Sequence, residues 1–386
     1  MENVWEMPNP FCMQNGKTVT TKEEFEKRLD EIQALYESEM YGALPDATKE
    51  KVTYSLKDKE MKVCVECEGR KGEFTVLVEV PKMKRFKETP VLFVFFKFFP
   101  EQLEYALNQG YAVLAVNPYE IAKDAFPREG VFYQVHPYTE NPKEQTGALA
   151  AWGWGFSKAI DALVAGAAKE LGLSTTDIAL TGVSRFGKST AVAGAFDKRI
   201  RVIAPSCSGA GGMALYRYVS EGKKYDFTDV SRPADYTFSK NEPLSCLQSD
   251  SEGHWFNDRF RTYKSVEELP LEQYMLSALC ARDGRYLFIS GSYCDEDWVN
   301  SPAMWMNYLA SREIFDFMGI SDHLAICLHE TGHMVTMSDL AYLLEFCNLH
   351  FYGIRPSLDF EALSTSLYAK AGNDDPVFEK KLAFLH

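Results

Sequence analysis

Apolar and polar residues along this chain follow two rhythms that take turns. Apolar residues recur at Phe25, Leu29, Ile32, Leu35 and Tyr36, the spacing of one helix face, and Thr20 and Thr21 ahead of Glu23 and Glu24 supply a capped start. Residues 51–82 then change to period two in VTYSL, MKVCVECEG and EFTVLVEVP, which predicts an antiparallel sheet edge. VLFVFFKFF, at 91–99, is apolar but for Lys97 and bounded by prolines, so it reads as a buried strand. PEQLEYALNQG predicts a helix and YAVLAVNP a second buried strand; a strand–helix–strand unit of this kind implies a parallel pair. Further helices are expected over 147–171, from near Lys188, and over 270–281, 302–318 and 337–349. The strands between them are 178–180, RIRVIAPS running into a glycine-rich loop up to 212, RYLFISGSYCDEDW, and HLAICLHE. Trp152 and Trp154 in the first of these helices are read as packing residues.

Two stretches keep to neither rhythm. The loop 119–146 is rich in proline and aromatics, contains His136, and is expected at the surface near a site; 213–265 reads as an irregular insertion. With no linker, repeat or low-complexity tract, the economical organisation is one α/β domain over 1–386, with a helical and β extension to about residue 85.

Composition narrows the partners. Apolar residues make up 46% of the chain, enough for one large core. A net charge of −14 argues against nucleic acid, because a surface that tracks phosphates needs clustered Lys and Arg. No apolar run reaches the roughly 18 residues of a membrane span, so no membrane partner is expected. MENVWEMPNP carries neither a basic nor an apolar leader region, and nine cysteines without regular spacing read as mostly reduced thiols. A cytoplasmic location is therefore expected for the chain as written, with secretion the alternative if a leader precedes it.

The candidate chemistry centres on IALTGVSRFGKSTAVA, at 178–193. Ser184 stands at a strand-to-helix turn between Gly182 and Gly187. Such a bend exposes a hydroxyl and places the next backbone N–H at a helix N-terminus, where an oxyanion is stabilised. Two other readings exist: Ser184 as a plain helix cap, and GVSRFGKS as a literal match to G-x-x-x-x-G-K-[ST]. Residues later in the chain weigh against a phosphate loop. The acidic cluster Asp295, Glu296 and Asp297 ends a later strand, and His333 comes after the last one. Serine, acid, histidine is the order of α/β-hydrolases, whose fold is a three-layer sandwich around a mostly parallel sheet, here with an antiparallel N-terminal edge. In that scheme the histidine takes the serine proton and the acid fixes its tautomer. Of seven histidines, His136 and His254 fall on long loops, His323 precedes the last strand, and His350 and His386 lie on or beyond the final helix. His329, at the strand end, is the rival; His333 is preferred because Thr331-Gly332 places it in a turn.

Several motifs in register resemble one family. GVSRFGK is similar to the G-C-S-R-x-G-K of the glucuronoyl esterases, the family 15 carbohydrate esterases. PNPF with the later NGKTVTTKEEFEKRLDEIQALYESEMYG, GALAAWGWGFSKAIDAL, SGAGGMALYR, HWFNDRF, the acidic stretch before Trp298 and TGHMVTMSDL fall in the family's order, over nearly the whole chain. The resemblance implies Ser184 as nucleophile, His333 as base and Arg185 as an oxyanion partner. It implies Lys188 and Glu221 near sugar hydroxyls, Trp298 as an aromatic face for the sugar, and no metal or organic cofactor. The implied reaction is hydrolysis of esters between xylan glucuronate and lignin alcohols, or of smaller uronate esters. One departure stands out. Many members carry the triad glutamate just before S-G-A-G-G, where this chain has Cys207. Other members place the acid two residues before the tryptophan, which points to Glu296, with Asp295 second because it follows the strand more directly. An acetyl-sugar (acetylxylan-type) deacetylase of the same fold, and a non-catalytic carbohydrate-binding relative supported only by Cys207, are the alternatives.

Overall fold

The computed structural model describes residues 7–141, 145–218, 242–293, 295 and 299–363. The strands are β1 (Glu50–Lys57), β2 (Glu60–Cys67), β3 (Arg70–Glu79), β4 (Thr89–Phe95), β5 (Ala112–Val116), β6 (Leu173–Val183), β7 (Val202–Ser206), β8 (Tyr286–Ser292) and β9 (Leu324–His329). They form one sheet in the order β1-β2-β3-β5-β4-β6-β7-β8-β9. β1, β2, β3 and β5 pair antiparallel in sequence, and every pairing from β5 to β9 is parallel. The expected hydrolase-type sandwich with its antiparallel edge is therefore present.

Side-chain alternation explains the three layers. Val91, Phe93 and Phe95 of β4 point into one core and Leu92 and Val94 into the other, so the strand is apolar at each position from Val91 to Phe95. The larger core is covered by the helices Lys22–Glu39, Ala148–Ala162, Arg185–Phe196, Gln273–Ala281 and Ser301–Met318. The smaller one lies under Pro100–Asn108 and Met337–Tyr352. The first helix starts as its sequence indicates, with the Thr21 side chain accepting from the Glu24 N–H. Trp152 and Trp154 are buried, and their indole N–H groups donate to Ala122 O and Glu50.

Three local features differ from the periodic reading. The stretch 147–171 is not one helix: a π-helical segment, Leu163–Ala167, interrupts it. Gly166 there has φ +146°, and the Tyr54 hydroxyl lies 2.6 Å from where a Cβ would stand. The loop 119–146 contains a buried helical turn, Val131–Val135. Cys64 and Cys67 have C-x-x-C spacing, but three residues apart on β2 they face opposite sides of the sheet, and both are free. Among the described residues no helix is long and apolar enough to cross a membrane.

Candidate active site

The turn at Ser184 is sharp because its neighbours are packed against backbone. Ser184 has φ +63° and ψ −132° between the end of β6 and the first residue of the helix Arg185–Phe196. A non-glycine residue there costs about 1–3 kcal/mol and needs surroundings that enforce it. Those surroundings are visible. The Ser184 N–H donates to Ser206 O at 3.0 Å. A Cβ on Gly187 would stand 2.4 Å from that same carbonyl, and one on Gly182 would stand 2.7 Å from both Phe186 O and a Phe95 ring carbon. The second glycine thus comes three residues after the serine, where the helix crosses β7, and the helix starts three residues earlier than its pattern suggested.

Loops after β8 and β9 bring a carboxylate and an imidazole to the same end of the sheet. Asp295 is buried and its Oδ1 lies 2.6 Å from His333 Nδ1. The second choice of acid is the one hydrogen-bonded to the histidine. Glu296, the first choice, lies outside the described residues, as do Asp297, Glu221 and Trp298. Cys207 sits against this pair, with Sγ, a carboxylate oxygen of Asp295 and a ring nitrogen of His333 all within 4.8 Å of one another. Burial, reinforced by the Asp295 charge, pushes its thiol pKa well up, so it is a neutral neighbour and not a substitute acid.

His329 faces away from that pair. Its Nε2 lies 3.0 Å from Met334 O and 3.3 Å from Asp339 Oδ2, while Nδ1 accepts from the Thr331 N–H. HETGH, at 329–333, also spells H-E-x-x-H. That motif ligates a metal when a helix puts both histidines on one face; here the stretch is a loop and the rings bond different carboxylates.

Arg185 is tethered. Its Nη1 donates to Asp124 Oδ2 at 2.6 Å, and Asp124 Oδ1 is bonded by His254 Nε2 at 2.8 Å and Trp255 Nε1 at 2.7 Å. Burial alone would raise the Asp124 pKa, but the bonds from His254, Trp255 and Arg185 outweigh it and hold the carboxyl at about 2. Neither Asp124 nor the His254–Trp255 turn was singled out as functional from sequence; the only signal was HWFNDRF among the family motifs. Lys188, expected at sugar hydroxyls, is buried, one helical turn after Ser184. Its Nζ donates to Ser208 O at 2.8 Å, Ala210 O at 2.8 Å and Glu242 Oε2 at 2.5 Å. Its three hydrogens are thus engaged, and a sugar hydroxyl reaches Nζ only by displacing one of these acceptors. Burial raises the Glu242 pKa to about 7 against the pull of Lys188.

An apolar rim flanks the elbow. Phe96, Tyr119 and Phe186 form an aromatic cluster with centroid separations of 5.1, 5.2 and 6.1 Å. Phe96, Phe99 and Tyr119 are exposed, as is Met334 directly after His333. The helix Pro100–Asn108 is tied to the histidine loop by Gln102 Nε2 donating to Val335 O at 2.9 Å.

Comparison with known proteins gives the family. The family model described as glucuronyl esterase, fungi, matches residues 63–319. A multidomain esterase of Ruminococcus flavefaciens is 42% identical over 379 residues, covering 96% of this chain and 49% of that protein. A 4-O-methyl-glucuronoyl methylesterase of Hypocrea jecorina is 29% identical over 321 residues, covering 81% of this chain and 62% of its own. The chain thus spans less than two thirds of the length of these relatives. Among solved structures, a family 15 glucuronoyl esterase from Caldicellulosiruptor kristjansonii superposes with a TM-score of 0.87 at 34% identity, covering 96% of this chain and 95% of that one.

Proposed function

This chain belongs to the glucuronoyl esterase family, and on that premise we propose that it hydrolyses glucuronate esters through an acyl-enzyme on Ser184. Ser184 Oγ attacks the uronate carbonyl while His333 Nε2 takes its proton, Nδ1 being held by Asp295. The negative charge that develops on the carbonyl oxygen is met by the Arg185 backbone N–H at the helix start and by the Arg185 guanidinium. The protonated His333 then gives its proton to the departing alcohol, and water repeats the sequence to release the uronic acid. Lys188 acts by fixing Glu242 and the glycine-rich loop beside the sugar. The exposed rings of Phe96 and Tyr119, backed by Phe186, suit an aromatic alcohol.

The observation that carries this reading is the 2.6 Å contact between Asp295 and His333, on loops at the same sheet end as the Ser184 turn. It supplies a carboxylate–imidazole pair without a glutamate at position 207, and so removes the one argument for a non-catalytic relative. The test is hydrolysis of benzyl glucuronate and of acetylated xylose by the parent and by Ser184→Ala. The parent is expected to cleave the glucuronate ester and Ser184→Ala to lose at least about 10³-fold in kcat. Equal rates for the two proteins would overturn the serine mechanism; cleavage of the acetyl ester alone would make the protein a deacetylase.

A further inference from the structure

At the opposite end of the sheet from Ser184, three side chains of metal-ligating type converge. Asp322 and His323 lie in the single turn Ser321–His323 that leads into β9, and His350 lies in the last turn of the helix Met337–Tyr352. One ligating atom of each is within 4.8 Å of the other two. Aromatic packing holds the rings: the Tyr286 centroid is 4.1 Å from that of His350 and 4.2 Å from that of His323, and the two imidazole centroids are 5.4 Å apart. His323 Nδ1 and His350 Nε2 are both buried and make no hydrogen bond. Buried polar nitrogens without hydrogen-bond partners are unfavourable, a cost that the packing of both rings against Tyr286 is left to offset. Asp322, by contrast, is exposed, and its Oδ1 already lies 3.8 Å from His323 Nε2.

We propose that His323, His350 and Asp322 form a binding site for a borderline divalent cation, zinc foremost, distinct from the catalytic centre. Two imidazoles and one carboxylate suit zinc, whereas calcium and magnesium favour all-oxygen sets. Metal–ligand bonds of about 2.0–2.2 Å put neighbouring ligand atoms roughly 3.3 Å apart; rotation of Asp322 and a small ring shift close the remaining gap, and water completes the fourth position. The cation would clip the entry turn of β9 to the end of the helix after it. The other candidate set, Cys207, Asp295 and His333, also falls within 4.8 Å. A cation there would have to break the 2.6 Å hydrogen bond between Asp295 and His333 and enter beside a fully buried thiol.

The experiment titrates the metal-stripped, full-length protein with CoCl₂ and with ZnCl₂. One equivalent should bind, the cobalt form should show visible d–d absorption without a near-ultraviolet thiolate band, and excess zinc should raise Tm. His350→Ala should weaken zinc uptake at least tenfold; His323→Gln, which removes no stacked ring contact of His350, should do the same if the first variant folds poorly. The proposal fails if no metal binds or if uptake is unchanged in both variants. It fails equally if cobalt gives a thiolate band that disappears in Cys207→Ser, since the cation would then sit at the catalytic pair.

Discussion

His329 ends β9 and His333 stands four residues later, and each faces a buried aspartate. For His333 the aspartate contact is a short bond from Nδ1 to Asp295, with the side chain partly accessible at 20%. For His329 both ring nitrogens are engaged, one by the Thr331 N–H and the other by Met334 O and Asp339. Asp339 is itself part of a capping box, accepting from Thr336 N and Oγ1 at the start of the helix Met337–Tyr352. The same pair of residue types therefore serves two ends. One imidazole is oriented by the acid after β8; the other is built into the loop that carries the first. Residue identity alone does not separate a base from a brace; what each aspartate is tied to differs, since Asp339 caps a helix and Asp295 lies in the loop after β8.

Breaking each half separately should give the widest contrast. His333→Ala should lower kcat by roughly 10⁴-fold or more. His329→Ala should leave kcat of the parent's order and instead lower stability by about 1–3 kcal/mol, because Asp339 and Met334 O lose a buried partner. A comparable kcat loss in both would mean that the loop is one catalytic unit. Next in size is the choice of acid. Asp295→Asn should reduce kcat by roughly 10⁴-fold through the wrong histidine tautomer, while Glu296→Gln should stay near the parent, and the reverse result would move the role to Glu296.

A third carboxylate sharpens the comparison on the oxyanion side. Asp124→Asn loosens Arg185 without removing it, so kcat should fall by about tenfold to a hundredfold, less than the roughly 10²–10³ expected for loss of an oxyanion donor. It should also change the acid limb of stability. The Asp124 pKa is about 2 in the folded protein against an ordinary 3.8. The unfolded chain therefore takes up the proton first as pH falls, so this contribution is complete above about pH 4 and is lost toward pH 2. Denaturant titrations of parent and Asp124→Asn across that range should converge as the pH drops. The smallest effect belongs to the brace. Thr336→Ala should cost about 1 kcal/mol as a lost helix cap, visible in a denaturation midpoint and absent from kcat.

Much of this arrangement is readable from residue order. Both faces of β4 are covered, and its unbroken apolar run reports that directly; the order of Ser184, an acidic loop and His333 reports the ends of three strands. What escaped has a common physical cause. Alternation fixes which way a side chain points only while the strand lasts, and β8 stops at Ser292, so nothing periodic distinguishes Asp295 from Glu296. Asp124 reaches Arg185 from a loop about sixty residues earlier, a distance no local pattern spans. Lys188 looks like a surface cation, yet its helix is covered on that side by the glycine-rich loop after β7, whose carbonyls accept its hydrogen bonds. The interruption of the helix 147–171 falls at Gly166, beside the Tyr54 hydroxyl of β1, a neighbour far away in sequence.

The close approaches at Gly182 and Gly187 give the elbow a practical use. A saturation library through 178–193, sorted once for soluble yield and once for turnover, should show two columns in which nearly every replacement vanishes at the first sort. The columns for Ser184 and Arg185 should instead survive the first sort and empty at the second. The pair of glycines would then serve as an internal standard, marking what the fold forbids, against which losses owed to the reaction alone can be read at the positions between them.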